Sequence, residues 1–265
     1  MIWSIYPKVI LLIFIFMCVV YVLAQLKKNN SIVDYFWGLG FCMITVYLVF
    51  HYRPPYAGNE APFYHLLVFS ALIFAWGLRL SIYIFIRNYG KGEDWRYRDF
   101  RKKWGKHPVA GAFFQVFMLQ GIFMFLVALP IIHIFYQGIF SFNLLHLLGF
   151  LIWFTGLFFE TVGDAQLYLF KNKPGNKNKP MQYGLWKYTR HPNYFGEILV
   201  WWGIWIISID VFHPLTTLAS VISPLTITLL LTKVSGVPLT ESKYKDKPEY
   251  REYINKTPAL IPKFF

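Results

Sequence analysis

Charge is what this sequence has least of. Asp, Glu, Lys and Arg make up 15% of its 265 residues, against about 25% in soluble globular domains. That leaves too little polar surface to cover a water-soluble fold of this size. Cysteine is sparse as well: Cys18 and Cys42 are the only two. Each lies inside an apolar run, where a cysteine acts as a small buried hydrophobe, so neither a disulfide framework nor a thiolate metal site follows. His51, His65, His133, His146 and His213 show no metal-ligand spacing and read as residues near the outer membrane interface. No G-x-G-x-x-G follows a strand and there is no P-loop, which excludes a soluble-type nucleotide-binding domain. Internal repeats and low-complexity segments are absent too.

What the chain does have is apolar length. Hydrophobic residues make up 56% and aromatics 21%, with 27 Phe and 10 Trp, a composition used by lipid-facing helices and interfacial belts. Trp201, Trp202 and Trp205 read as packing or belt residues of this kind. A bilayer core takes about 20 mostly apolar residues per helix. Seven stretches qualify: 6–26, 33–52, 63–87, 111–135, 143–168, 193–210 and 214–233. The expected fold is therefore an all-α polytopic membrane protein with about seven transmembrane helices, forming a single integral membrane domain over 1–265. The first run ends at Gln25 without a small-residue cleavage signal and reads as a membrane helix rather than a signal peptide.

The basic residues set the orientation. Lys27 and Lys28, the segment from Arg87 to Lys106, the segment from Lys171 to Arg190, and the tail from Lys233 together hold 23 of the 26 Lys and Arg. The alternate loops hold almost none: Lys8 precedes the first span, Arg53 follows the second, and Arg79 lies within the third helix. Positive loops stay in the cytoplasm, so the N-terminus is expected outside and the C-terminus inside. Distributed this way, the net charge of +13 is a topology signal and does not make a nucleic-acid surface. The expected partners are membrane lipid and a lipophilic small molecule. The absence of a recognised targeting peptide points to a bacterial inner membrane.

Ionisable groups in membrane helices are expensive, and each is a functional candidate by default. Asp34, Arg79, Glu160, Asp164 and Glu197 all fall in cytoplasmic halves of helices, whereas Asp210 lies at the opposite end. Glu160 and Asp164 share a face of one helix, as do Arg79 and Tyr83 of another. Structural ion pairs, for example Arg79 with Asp34 or Glu197, are the bland alternative. Taken as a set, the five suggest a polar cavity opening inward. The lysines of 169–192 would attract anionic lipid headgroups at roughly 1 kcal/mol each. Lipid attraction does not explain Arg190-His191-Pro192, where an Arg–His pair precedes a proline that starts a helix, an arrangement suited to a phosphate or carboxylate. The stretch 91–98 mixes both charges with aromatics and reads either as a cover for such a site or as a surface loop.

The run Gly184-Leu185-Trp186-Lys187-Tyr188-Thr189-Arg190-His191-Pro192-Asn193-Tyr194-Phe195-Gly196-Glu197 resembles the signature of the DUF1295 membrane proteins. These are relatives of steroid 5α-reductases, in a wider group with sterol reductases and isoprenylcysteine carboxyl methyltransferases. Val33-Asp34 with Trp37-Gly38, Gly92-Glu93-Asp94 with Arg96-Tyr97, Ser235-Gly236-Val237-Pro238 with Glu241, and Ala259-Leu260-Ile261-Pro262 agree with it. The resemblance implies seven helices and NADPH bound from the cytoplasmic side, with the binding motif in 143–265. It implies cofactor contacts at Asn193, Tyr194 and Glu197, and also at Tyr188 and Asp164. Glu160 stands four residues before Asp164, where the reductases carry Asn. Arg79 and Tyr83 match their Arg-x-x-x-Tyr, which makes Tyr83 the group that polarises a substrate carbonyl. Two departures stand out. The second-helix catalytic glutamate is replaced at best by Asp34, and in place of a C-terminal histidine cluster the chain has Lys243-Tyr244-Lys245.

The first reading is thus an NADPH-dependent reductase of an enone in a lipophilic, steroid-like or lipid substrate. Its catalytic groups are Tyr83, Asp34 and Arg79, and Arg190 and the basic loops hold the phosphates. The alternative is an S-adenosylmethionine-dependent methyltransferase, with Arg190, His191 and Glu197 on the cofactor. A non-enzymatic lipid-binding or transport protein needs only the cavity, but no inverted repeat with broken helices supports it.

Overall fold

The structure is a computed structural model describing residues 4–51, 61–137, 142–176, 179–210, 213–242 and 247–263. Arg53, Lys177 and the Lys243-Tyr244-Lys245 run lie outside the described residues. Among the described residues every regular element is helical, and the chain divides into two compact units, 1–141 and 142–265. The protein is an all-α polytopic membrane protein: among the described residues, six helices are long and apolar enough to cross a bilayer.

Unit 1 contains α1 (Ile5–Leu26), α2 (Ile32–His51), α3 (Ala61–Asn88), α4 (Trp95–Lys103), α5 (Pro108–Ala112), a π-helical turn at Phe113–Met118, and α6 (Leu119–Gln137). The α2–α3 crossing rests on two glycines. A Cβ on Gly38 would lie 2.2 Å from the Gly77 carbonyl oxygen, and one on Gly77 would lie 2.7 Å from that of Gly38. Lipid supplies no hydrophobic drive between membrane helices, so close backbone approach at small residues is what holds such pairs together.

Unit 2 contains α7 (Leu144–Lys171), a 3₁₀ turn at Gly184–Lys187, α8 (Pro192–Ile207), α9 (Pro214–Ser220), α10 (Ile222–Leu229), a π-helical turn at Leu230–Val234, α11 (Val237–Ser242) and α12 (Pro248–Lys256). α7 and α8 pack antiparallel along glycines spaced seven apart, which return to one helix face every two turns. Gly156 and Gly196 meet backbone to backbone: a Cβ on Gly196 would lie 2.4 Å from Glu160 N and 2.5 Å from the Gly156 carbonyl oxygen. Gly149 and Gly203 repeat the contact further along, with the Gly149 carbonyl oxygen 2.8 Å from a Cβ on Gly203. At the other end Gly163 faces Pro192 and Asn193. This register brings the last turns of α7 beside the first turn of α8.

Two expected spans take a different form. The 193–210 stretch folds as Pro192–Ile207, 16 residues or about 24 Å of helix, short of the roughly 30 Å hydrocarbon core. The 214–233 stretch is split between α9 and α10 because Pro224 has no N–H to offer the Ser220 carbonyl one turn earlier. The full segment Pro214–Ser242 remains long and apolar enough to span.

Of the cysteines, Cys42 is buried and Cys18 half-buried, and both are free. His133 departs from the interfacial reading: it is 1% exposed and hydrogen bonds through Nε2 to Tyr6 Oη at 2.8 Å. His146 caps α7 reciprocally with Asn143, and His213 pairs with Asp210 at 2.8 Å. Trp202 and Trp205 donate from Nε1 to Thr228 Oγ1 and the Thr217 carbonyl, tying α8 to α10 and α9.

Candidate functional site

In unit 1 the second-helix acid is held by the first turn of α4. Asp34, in the first turn of α2, accepts from Arg96 Nη2 at 2.9 Å and from Tyr97 Oη at 2.6 Å. The partner of Asp34 is therefore Arg96, rather than the Arg79 that sequence reasoning offered. Arg96 also bonds Asp94 at 2.9 Å, and Asp94 caps α4 by accepting from the Arg96 N–H. Burial disfavours the Asp94 charge, but the hydrogen bonds and the charge of Arg96 outweigh it and hold the carboxyl below its usual range. For Tyr97, burial and then the Asp34 charge push the phenol well above its ordinary value, so it stays a hydrogen-bond donor.

Glu93 completes this fastening. It accepts from the Asn30 N–H and from Arg101 Nη2, each at 2.8 Å. The mixed-charge stretch 91–98 is thus tied by a hydrogen bond to the α1–α2 turn and by an ion pair to the first turn of α2. Arg79 and Tyr83 lie one turn apart on α3, both half-buried, and the Arg87 guanidinium sits 5.4 Å from the centre of the Tyr83 ring.

In unit 2 the sequence-predicted residues come together where α7 ends and α8 begins. Glu160 and Asp164 are 2% and 4% exposed on α7. Asn193, in the first turn of α8, donates from Nδ2 to Asp164 Oδ1 at 3.1 Å. An amide nitrogen only donates, so this bond sets which way the Asn193 amide faces. Asn193 Oδ1 points the other way and is closed off from solvent. Among the described residues no donor reaches it. A buried amide oxygen without a donor costs about 1–3 kcal/mol and is rare in native structures. Its chemistry fits a ligand N–H or O–H.

The segment before α8 is anchored on both sides. Gly184 adopts φ +58°, a left-handed conformation that glycine takes freely, and a Cβ there would strike the Gln166 amide. Leu185 N donates to Gln166 Oε1 and Trp186 Nε1 donates to the Gly163 carbonyl, each at 3.0 Å. From the other side the C-terminal segment threads across. Arg190 N donates to the Pro258 carbonyl, Thr189 Oγ1 to that of Leu260, and Lys263 N to that of Tyr188. Tyr253 Oη donates to the Trp186 carbonyl.

Arg190 and His191 are already engaged within the protein. Arg190 donates from Nε to Glu241 Oε1 at 2.7 Å, and from Nη1 to the carbonyls of Ile254 and Thr257. His191 Nε2 lies 3.0 Å from the same Glu241 oxygen, and its ring stacks on Tyr194 at 5.1 Å with planes 9° apart. Burial pulls the His191 pKa below its ordinary value, against the opposing pull of Glu241. Tyr194 Oη bonds Thr240 Oγ1 at 3.0 Å. Glu197, one turn on, is half-buried. Sequence reasoning missed the roles of Thr240 and Gln166 and the anchoring role of Glu241. The available signs were that Glu241 is an acid at the end of an apolar run and that it stands, with Ser235-Gly236-Val237-Pro238, among the residues that carry the family resemblance.

Among the described residues no group of three or more His, Cys, Asp or Glu could hold a metal ion. The cluster offers carboxylates and an amide oxygen for hydroxyls and N–H groups. Exposed Lys171, Lys173, Lys179 and Lys187 in the adjoining segment can take phosphates.

No curated protein and no solved structure matches the chain. The model of one family, described as a protein of unknown function (DUF1295), matches residues 20–257. That match runs from α1 to the end of α12 and takes in both the Asp34 network and the α7–α8 cluster, and the chain belongs to the DUF1295 family.

Proposed function

We propose that the protein is a membrane-embedded NADPH-dependent reductase of a carbon–carbon double bond conjugated to a carbonyl in a lipophilic substrate. The observation that carries this reading is the buried Asn193 Oδ1, held facing away from Asp164 and lacking a donor. A carboxamide N–H or ribose hydroxyl of the cofactor would satisfy it. Glu160, Asp164 and Glu197 offer acceptors to other hydroxyls on the same side of unit 2. Exposed Lys171, Lys173, Lys179 and Lys187 neutralise phosphate charge, and Tyr188 and Tyr194 lie at the end of the same segment. The Lys and Arg bias of the loops supports a cytoplasmic position for this end of α7 and α8, where NADPH is available.

When bound, NADPH supplies a hydride for the β-carbon of the enone. The resemblance implies that Tyr83 would donate a hydrogen bond to the carbonyl oxygen, where negative charge would develop, and a proton taken up at the α-carbon would complete the reduction. Arg79, one turn earlier, adds positive charge on the same face of α3. Asp34 acts through Arg96 and Tyr97 as a support of unit 1.

A methyltransferase would ask Arg190 and His191 to clamp the carboxylate of S-adenosylmethionine. Both are committed to Glu241, which favours the reductase, whose phosphates can use the exposed lysines of the segment before α8. The test is parallel titration of NADPH and S-adenosylmethionine into the detergent-purified full chain, followed by NADPH oxidation with a panel of lipophilic enones. Saturable NADPH binding and enone-dependent oxidation are expected. Binding of S-adenosylmethionine alone would overturn the proposal.

A further inference from the structure

We infer that Glu241 positions His191 for ligand binding by fixing its tautomer, a role that rests on the NADPH reading only for its effect on cofactor affinity. One oxygen of Glu241, Oε1, receives both Arg190 Nε at 2.7 Å and His191 Nε2 at 3.0 Å. An arginine guanidinium does not deprotonate in proteins, and an ionised carboxylate only accepts. The histidine nitrogen that faces this oxygen must therefore carry the hydrogen. The neutral ring is the Nε2–H tautomer, and its lone pair, the only acceptor on the imidazole, sits on Nδ1.

The ring is also held in its plane. His191 is 4% exposed, its backbone N–H meets Thr189 Oγ1 at 3.4 Å, and one face is covered by the stacked Tyr194 ring. Tyr194 is in turn pinned through Oη to Thr240, the neighbour of Glu241 on α11. Two consecutive residues of α11 thus grip the two rings that open α8. The π-helical turn at Leu230–Val234 and the tight bend at Gly236, whose Cβ position lies 2.3 Å from the Leu231 carbonyl oxygen, deliver α11 to that place. Glu241 touches no ligand in this scheme. It presents His191 with an acceptor at Nδ1, where a hydroxyl or N–H of the cofactor can donate, and it keeps Arg190 bound to the C-terminal segment.

Glu241→Gln and Glu241→Leu separate positioning from bulk structure. Arg190 Nε and His191 Nε2 meet one oxygen, so the carbonyl oxygen of a glutamine takes over both bonds and keeps the proton on Nε2. A leucine removes the acceptor and leaves the proton to exchange between Nε2 and Nδ1. The side-chain nitrogen resonances of the full chain, carrying isotope-labelled histidine in detergent micelles, read the tautomer directly. The His191 signal is assigned by its loss in His191→Gln. We expect pure Nε2–H in the wild type and in Glu241→Gln, and a mixture with Nδ1–H in Glu241→Leu. NADPH affinity should hold in Glu241→Gln and fall in Glu241→Leu, by up to about tenfold, the scale of one lost hydrogen bond in a site. An Nδ1–H or mixed ring in the wild type, or a Glu241→Leu spectrum identical to the wild type, overturns the inference. If Glu241→Leu does not fold, the wild-type and Glu241→Gln spectra still decide. If the tautomers behave as expected but the wild type does not bind NADPH, the reductase reading falls and the positioning role stands.

Discussion

Adding one methyl group at Gly196 should disturb the cofactor cluster without touching any of its polar residues. The Cβ of Gly196→Ala would lie 2.4 Å from Glu160 N and 2.5 Å from the Gly156 carbonyl oxygen, where ordinary contact starts at 3.4 Å. Both obstacles are backbone atoms and neither can rotate aside, so α7 and α8 must part by about 1 Å. The Asn193–Asp164 bond lies one turn away on both helices and measures 3.1 Å. The same movement stretches it to about 4 Å, beyond hydrogen-bond range. Overpacking costs about 1–3 kcal/mol, and the lost bond adds about 1 kcal/mol. Against this, alanine gains about 1 kcal/mol of helix propensity over glycine. The net expectation is about 1–3 kcal/mol of destabilisation, with NADPH binding lost well below the unfolding temperature. Gly92→Ala, where nothing lies within 4 Å of the new methyl, is the control. Thermal unfolding in detergent and NADPH titration of both variants are the assays. A Gly196→Ala protein that melts and binds NADPH like the wild type would refute the claim that this glycine contact sets the geometry of the cluster.

Two further perturbations address the rest of the fold. Asp34→Asn removes one of the two carboxylates that Arg96, with its side chain 28% exposed, meets at 2.9 Å, leaving only Asp94, and should lower the unfolding free energy by about 1–2 kcal/mol in denaturant titration. An unchanged midpoint would mean that the ion pair contributes nothing. Acid should also weaken the protein in two stages. His191 has a pKa below its ordinary 6.5 when folded, so its contribution is complete above 6.5 and is lost as pH falls through 6.5 toward the folded value. Asp94 is held below its ordinary 3.8, so its contribution is present above 3.8 and lost as pH falls through its folded value. A melting temperature that rises on acidification through this range would contradict both assignments.

The sequence carried the membrane character of the protein plainly, because a bilayer demands long apolar runs and charge starvation that no soluble core requires. α8 begins at Pro192, the helix-starting proline already legible beside Arg190-His191. Long-range partnership was not legible. Asp34 and Arg96 are 62 residues apart, and Arg190 and Glu241 are 51 apart. Which cation meets which carboxylate depends on how the intervening helices return, and hydropathy is silent on that. The shortening of α8 was hidden for a local reason: Ser208 turns its hydroxyl back to the Trp205 carbonyl and ends the helix inside a still-apolar run. The seven-residue spacing of Gly149, Gly156 and Gly163, matched by Gly196 and Gly203, was present in the sequence all along. It gained meaning only once α7 and α8 were seen to pack antiparallel.

The most direct test of the central claim is calorimetric titration of NADPH into the detergent-purified protein, for the wild type and for Asn193→Ala, each checked for an intact melting transition. The account predicts saturable binding by the wild type and its loss in Asn193→Ala, which removes both the buried amide oxygen and the bond to Asp164. Equal NADPH affinity in two well-folded proteins, or none in the wild type, would contradict it.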